Sequence, residues 1–212
     1  MGNRGGRLHD PATQTLGSRR WVSKSWICCE TSFKERRREV WAESYTELFF
    51  LDEVTALAAG HRPCFECRRR AAEAFAAAFA QGNGLGSPPH AAAIDKVLHA
   101  ERLARTTADR PGDLDPEAQG PDAKQIYVAF IDTLPDGAMI TCDGPERRAY
   151  AVRGAYVLPW APEGYGTPIV RPRARLVSLL TPPSIVTTLQ AGYQPVWHPS
   201  ATLETDRNHH GD

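Results

Sequence analysis

Long apolar runs are missing from this chain. None approaches the ~18 residues that a membrane-spanning helix requires, so the sequence excludes a bilayer as its partner. Net charge is missing too: 25 Lys and Arg offset 25 Asp and Glu over 212 residues, and no global field draws the protein to nucleic acid or to a lipid surface. The opening MGNRGGRLHD has no apolar core of the kind a secretory signal needs, and Gly6 stands where a myristoylation signal wants Ser or Thr. These absences point to a cytoplasmic protein. Cysteine is scarce, five residues in all, and in a reducing compartment scarce cysteines serve metals or catalysis more often than disulfides.

What is present suffices for one or two globular domains, with 42% hydrophobic residues. Charge is uneven along the chain. Residues 1–70 carry 13 basic against 9 acidic side chains, a net of +4, and the remainder carries the opposite balance. The plain reading of that asymmetry is solvated surface; the functional one is an anionic partner for the N-terminal third.

Local patterns divide the chain further. Trp26-Ile27-Cys28-Cys29 and residues 45–51 (YTELFFL) read as short strands. Asp52 is a helix N-cap, Val54, Leu57 and Ala58 come after it at helical spacing, and Gly60 with Pro63 ends the turn. Helices are expected over 68–80 and 92–105, an acidic Pro- and Gly-rich linker over 107–123, and short strands from residue 124 onward. The expected architecture is α+β, divided into a metal-binding module over 1–84, a helix and linker over 85–123, a β-rich unit over 124–200 and a frayed tail over 201–212. One internal echo stands out: VTALAAGHRP at residue 54 and VTTLQAGYQP at residue 186 share six of ten positions. Both spell a short helix stopped by glycine and an exit set by proline.

The densest chemistry lies in LAAGHRPCFECRR, where Cys64 and Cys67 flank a tight turn. Such a pair is a redox couple, half of a metal site, or two small buried residues. A redox couple of the thioredoxin type sits at the start of a helix that succeeds a strand, whereas here a helix and a proline turn precede the pair. Zinc asks for about four ligands in a tetrahedron. Cys28 and Cys29, some 35 residues upstream, are the other thiols at hand, though neighbours on a strand face opposite ways. His61, His99 and His9 are candidates for a remaining position.

The run from Phe49 to Arg68 resembles the second half of the metal-binding N-terminal domain of Ada-type DNA methylphosphotriester repair proteins. Phe49, Phe50, Ala56, Gly60, Arg62, Pro63, Cys64, Cys67 and Arg68 match that pattern. The resemblance, spread over residues 26–70, implies that Cys64 and Cys67 are zinc ligands, with Cys28 and Cys29 the candidates of which one joins them. As basic residues, Arg36, Arg37, Arg38, Arg62, Arg68 and Arg69 are candidates for contact with nucleic acid, or else part of a solvated face. The family uses four cysteines and transfers a methyl group to one zinc thiolate. This chain lacks the family's upstream Cys-x-x-x-Cys, carries Phe65 and Glu66 in place of two basic residues, and has His61 in place of an aromatic.

Asp95 and His99, four apart on a predicted helix, are candidates for acid/base work, or else an exposed helical pair. Cys142 reads as a small core residue, and the aromatics near Trp160 and Trp197 as core packing. Three functions are open to such a chain: a zinc module touching nucleic acid, a structural or interaction protein with a closed zinc site, and a metal-dependent enzyme with its pocket between the halves. A metal with only three protein ligands favours the enzyme.

Overall fold

The computed structural model describes residues 1–35, 39–103, 125–142 and 148–203. Its fold is mixed α+β. The first 63 residues hold five two-residue strands, β1 Gly2–Asn3, β2 His9–Asp10, β3 Thr15–Leu16, β4 Ile27–Cys28 and β5 Arg62–Pro63, with α1 Glu53–Ala58 placed before β5. Helices α2 Arg69–Gly82 and α3 Ala91–Arg102 come next. Beyond the acidic segment lie β6 Tyr127–Phe130, β7 Met139–Thr141, β8 Ala149–Arg153, β9 Tyr156–Ala161, β10 Gly164–Tyr165, β11 Ile169–Val170, β12 Leu176–Leu179 and finally α4 Pro183–Gln190.

The described residues form three sheets, one of them the short β2–β3 pair. A small one runs β1-β4-β5, with β1 antiparallel and β5 parallel to β4. The large one has seven strands in the order β10-β9-β8-β7-β12-β6, with β11 added on β9. Residues 45–51 do not form the expected strand. They make a single bridge, Leu48 to Gly2, and the Thr46 hydroxyl accepts the Leu8 N–H at 2.7 Å.

Helix α1 forms as its sequence dictates. Asp52 accepts the Thr55 N–H at 2.9 Å and Thr55 Oγ1 accepts the Asp52 N–H at 3.1 Å, a reciprocal cap of two otherwise unpaired donors. At its other end the His61 N–H reaches Ala56 O and the Gly60 N–H reaches Leu57 O, which requires the left-handed φ of +78° that glycine adopts without strain. The echo repeats this geometry. Tyr193 N–H bonds Thr188 O, Gly192 N–H bonds Leu189 O, and Gly192 has φ +98°. The shared residues therefore encode the same helix stop twice.

Both echo helices are apolar on two faces and are buried accordingly. Leu57 of α1 joins Phe75, Phe79, Ile94, Leu98, Ile185 and Leu189 in one cluster, while Val54 and Ala58 join Met139, Ala151 and Leu158 in another. Val186 of α4 faces a third cluster built on the large sheet, with Ile140, Val152 and Val177. The apolar clusters thus draw on residues from both halves of the chain. Helices α2 and α4 approach closely at Gly82, where a Cβ would stand 2.2 Å from Thr187 O. Among the described residues no helix is long and apolar enough to cross a membrane.

Candidate metal centre

Strand register brings the first two thiols together. In the parallel pair, Ile27 lies opposite Arg62 and Cys28 opposite Pro63, and the Cys64 N–H bonds Cys28 O at 3.0 Å. One step further along each strand stand Cys29 and Cys64. The chain then turns at once. The Arg68 N–H closes onto Cys64 O at 3.0 Å, and this single helical turn carries Cys67 back to the pair. The sulfur atoms of Cys29, Cys64 and Cys67 all lie within 4.8 Å of one another, and this cluster can hold a metal ion.

Two basic residues of the turn are internal ties. Arg62, with its side chain 7% exposed, grips the 5% exposed Asp95 of α3 through Nε at 2.8 Å and Nη2 at 3.0 Å. Arg68 bonds Glu53 at 2.8 Å and Glu30 at 3.2 Å, and Nη1 points a donor at Cys28 Sγ, 3.5 Å away. Glu53 in turn accepts from Tyr193 Oη at 2.7 Å and the Val196 N–H at 2.9 Å. The exit of the second echo thereby clamps the start of the helix that leads to the cysteines.

The electrostatics suit a thiolate cluster. Backbone N–H groups of Glu66 and Glu30 approach Cys64 Sγ and Cys67 Sγ at 3.4 Å each, and such donors favour the charged form. The Cys29 thiol donating to Cys64, aided by the Cys67 and Glu66 N–H groups, lowers the Cys64 pKa to about 5. The same bond raises Cys29, and burial raises Cys67. Three crowded thiols cannot all ionise unaided; a cation among them removes that conflict.

The cluster forms one wall of a cavity of about 280 Å³ that Phe33, Tyr45, Glu47 and Phe49 also line. Glu47 is 8% exposed, and among the described residues neither carboxylate oxygen has a hydrogen-bond partner. A buried carboxylate without a partner is costly, and here it borders the thiol pocket. Sequence reading missed it, although a lone charge inside the apolar stretch YTELFF was the signal.

The other sequence-derived candidates fall elsewhere. Cys28 is buried behind the cluster, raised by that burial, and its sulfur is not among the three that converge. His61 is fully buried between the rings of Trp26 and Phe50, at 5.4 and 4.8 Å. His99 packs edge-on to Trp21 at 4.6 Å, and His9 bonds Thr46 and Ala42. None of these histidines joins the sulfur cluster. Asp95 and His99 are both buried rather than an exposed pair, and they do not bond each other: Asp95 is saturated by Arg62 and by Ser25 Oγ at 2.8 Å. Arg69 is 67% exposed beside Glu73, whereas Arg36, Arg37 and Arg38 lie outside the described residues. The cavity sits entirely within residues 1–67 and not between the halves.

No family model, curated protein or solved structure matches the chain.

Proposed function

We propose that this protein is a zinc-binding protein whose centre has three thiolate ligands, Cys29, Cys64 and Cys67, and keeps its fourth position open to a ligand in the Glu47 pocket. The observation that carries this reading is the convergence of three sulfurs on a cavity that also holds an unpartnered buried carboxylate. Soft thiolates at this separation suit zinc, whose Zn–S distance is about 2.3 Å. Zinc held by three protein ligands supplies Lewis acidity at the remaining position. The chain's own residues do the rest. Glu47 takes a proton from a small molecule in the cavity that Phe33 and Phe49 line. That arrangement supports the metal-dependent enzyme over a closed structural site.

Contact with nucleic acid is the second reading. It rests on the Ada-like turn and on Arg69, the exposed basic side chain beside it. Arg62 and Arg68 spend their charge inside the protein, so any such binding is weak, sequence-independent and salt-dependent.

Metal analysis of protein purified under reducing conditions tests the proposal. About one zinc per chain is expected, lost in the Cys64→Ser/Cys67→Ser variant; a metal-free wild type sinks the idea. Cobalt substitution then separates an open from a closed site. Addition of azide shifts the visible spectrum of an open site, and a spectrum indifferent to azide identifies a closed structural one.

A further inference from the structure

A second cavity, of about 260 Å³, shares no residue with the thiol pocket and is lined by Arg4, Arg20, Trp21, Trp26 and Arg102, with Ala59 and Leu103 completing its wall. Two guanidinium groups meet here over one indole, and the exposed Arg20 lines the rim. Arg102 Cζ lies 3.8 Å from the Trp26 ring centroid and Arg4 Cζ 4.0 Å from it. Arg102 is 3% exposed, and among the described residues none of its three nitrogens has a hydrogen-bond partner; Arg4 Nε is likewise buried and unpartnered there. Arg4 Nη1 donates to the Arg20 carbonyl at 3.1 Å, which ties the Arg20 backbone to Arg4.

Among the described residues, the carboxylates that act on Arg102, Asp95 and Glu101, are already engaged. Asp95 holds Arg62 and Ser25, and Glu101 accepts from Ser184. His61 and His99 adjoin the cluster, and their pKa values are lowered, by burial first, then by Arg4 and Arg102 at His61 and by Arg102 and Lys24 at His99. Burial, with Arg4 beside it, lowers Arg102 to about 9. The backbone has also been shaped around this side chain. A Cβ on Gly60 would stand 2.2 Å from Arg102 Cδ and 2.7 Å from its Nη1, so the glycine that stops α1 also makes room for the guanidinium.

A buried guanidinium without acceptors is expensive to maintain unless a counter-charge completes it. The cation–π contacts with Trp26 offset only part of that cost and leave every N–H unused. We propose that this cavity binds a phosphate group, either as free phosphate or as a small phosphate monoester. The buried charges of Arg4 and Arg102, with Arg20 at the rim, match a dianion better than a single carboxylate does, and guanidinium forks suit tetrahedral oxyanions. The volume, below the ~300 Å³ at which drug-sized ligand sites begin, limits the ligand to a small one.

Calorimetry on the full chain in phosphate-free, low-chloride buffer tests this, with inorganic phosphate, AMP and an unphosphorylated-end oligonucleotide as separate ligands. Saturable one-to-one binding of phosphate or AMP is expected. AMP binding more tightly than phosphate identifies the monoester as the ligand, and equal or weaker AMP binding identifies the free oxyanion. Arg102→Leu should weaken phosphate binding at least tenfold while leaving the melting temperature in phosphate-free buffer unchanged or higher, because it removes an unpaired buried charge. Arg4→Gln, at a less buried position, should weaken binding several-fold without disturbing the fold. Absence of saturable binding by phosphate and AMP, or binding of the oligonucleotide alone, overturns the proposal. So does a lowered melting temperature for Arg102→Leu with phosphate affinity intact.

Discussion

Replacing Asp95 with alanine removes the partner of a guanidinium that cannot reach water. Arg62 is 7% exposed and gives Asp95 two hydrogen bonds, at 2.8 and 3.0 Å, so the variant leaves a charge buried with one remaining acceptor, the Pro63 carbonyl at 3.1 Å. Breaking a buried pair from one side costs about 3–5 kcal/mol, and the orphaned Ser25 hydroxyl adds to it. With a urea slope of about 3 kcal/mol/M, a loss of about 4 kcal/mol lowers the unfolding midpoint by roughly 1.3 M. Urea unfolding followed by tryptophan fluorescence, with and without chelator, measures it. The double variant Arg62→Met/Asp95→Leu controls for the mechanism, since replacing both charges with apolar groups of similar volume is often neutral or stabilising. A loss below about 1 kcal/mol in Asp95→Ala refutes the reasoning. So does a double variant as unstable as the single one, because the cost would then lie in packing and not in charge.

Gly82→Ala gains helix propensity yet should destabilise, because its Cβ meets the Thr187 carbonyl at 2.2 Å; a loss of about 2 kcal/mol, or roughly 6 °C in melting temperature by calorimetry, is expected, and a raised melting temperature contradicts the close contact of α2 with α4. Incubation with DNA bearing labelled methylphosphotriesters should give no transfer of label to Cys29, Cys64 or Cys67. Three converging thiols carry less negative charge than the four of the Ada-type centre, and Phe65 and Glu66 provide no phosphate-seeking charge between them; stoichiometric labelling moves the protein into the repair class.

Much of the local structure arises from residues near one another in sequence. Asp52 caps α1 because its carboxylate is three residues from Thr55 N–H, and Gly60 and Gly192 stop their helices because only glycine takes a positive φ freely. Alternation on a strand anticipates that Cys28 and Cys29 face apart, and only Cys29 meets the Cys64 and Cys67 sulfurs. Long-range placement was not legible. Nothing in the spacing of Cys29 and Cys64 announces the parallel β4–β5 register that joins them, since parallel pairing is set by the crossover between strands. Arg62 and Arg68 look like solvated charges until α3 and α1 supply Asp95 and Glu53. Glu47, Arg4 and Arg102 gain their meaning only from what packs around them, because the cost of burying a charge depends on its surroundings and not on its neighbours in the chain. The sequence by itself determined the helix caps, the Cys-x-x-Cys turn and the α+β texture, all matters of local backbone geometry. The tertiary structure decided which thiols converge, which arginines are spent on ion pairs and which are left without a counter-charge, because those outcomes depend on distances between segments that loop closure alone does not prescribe.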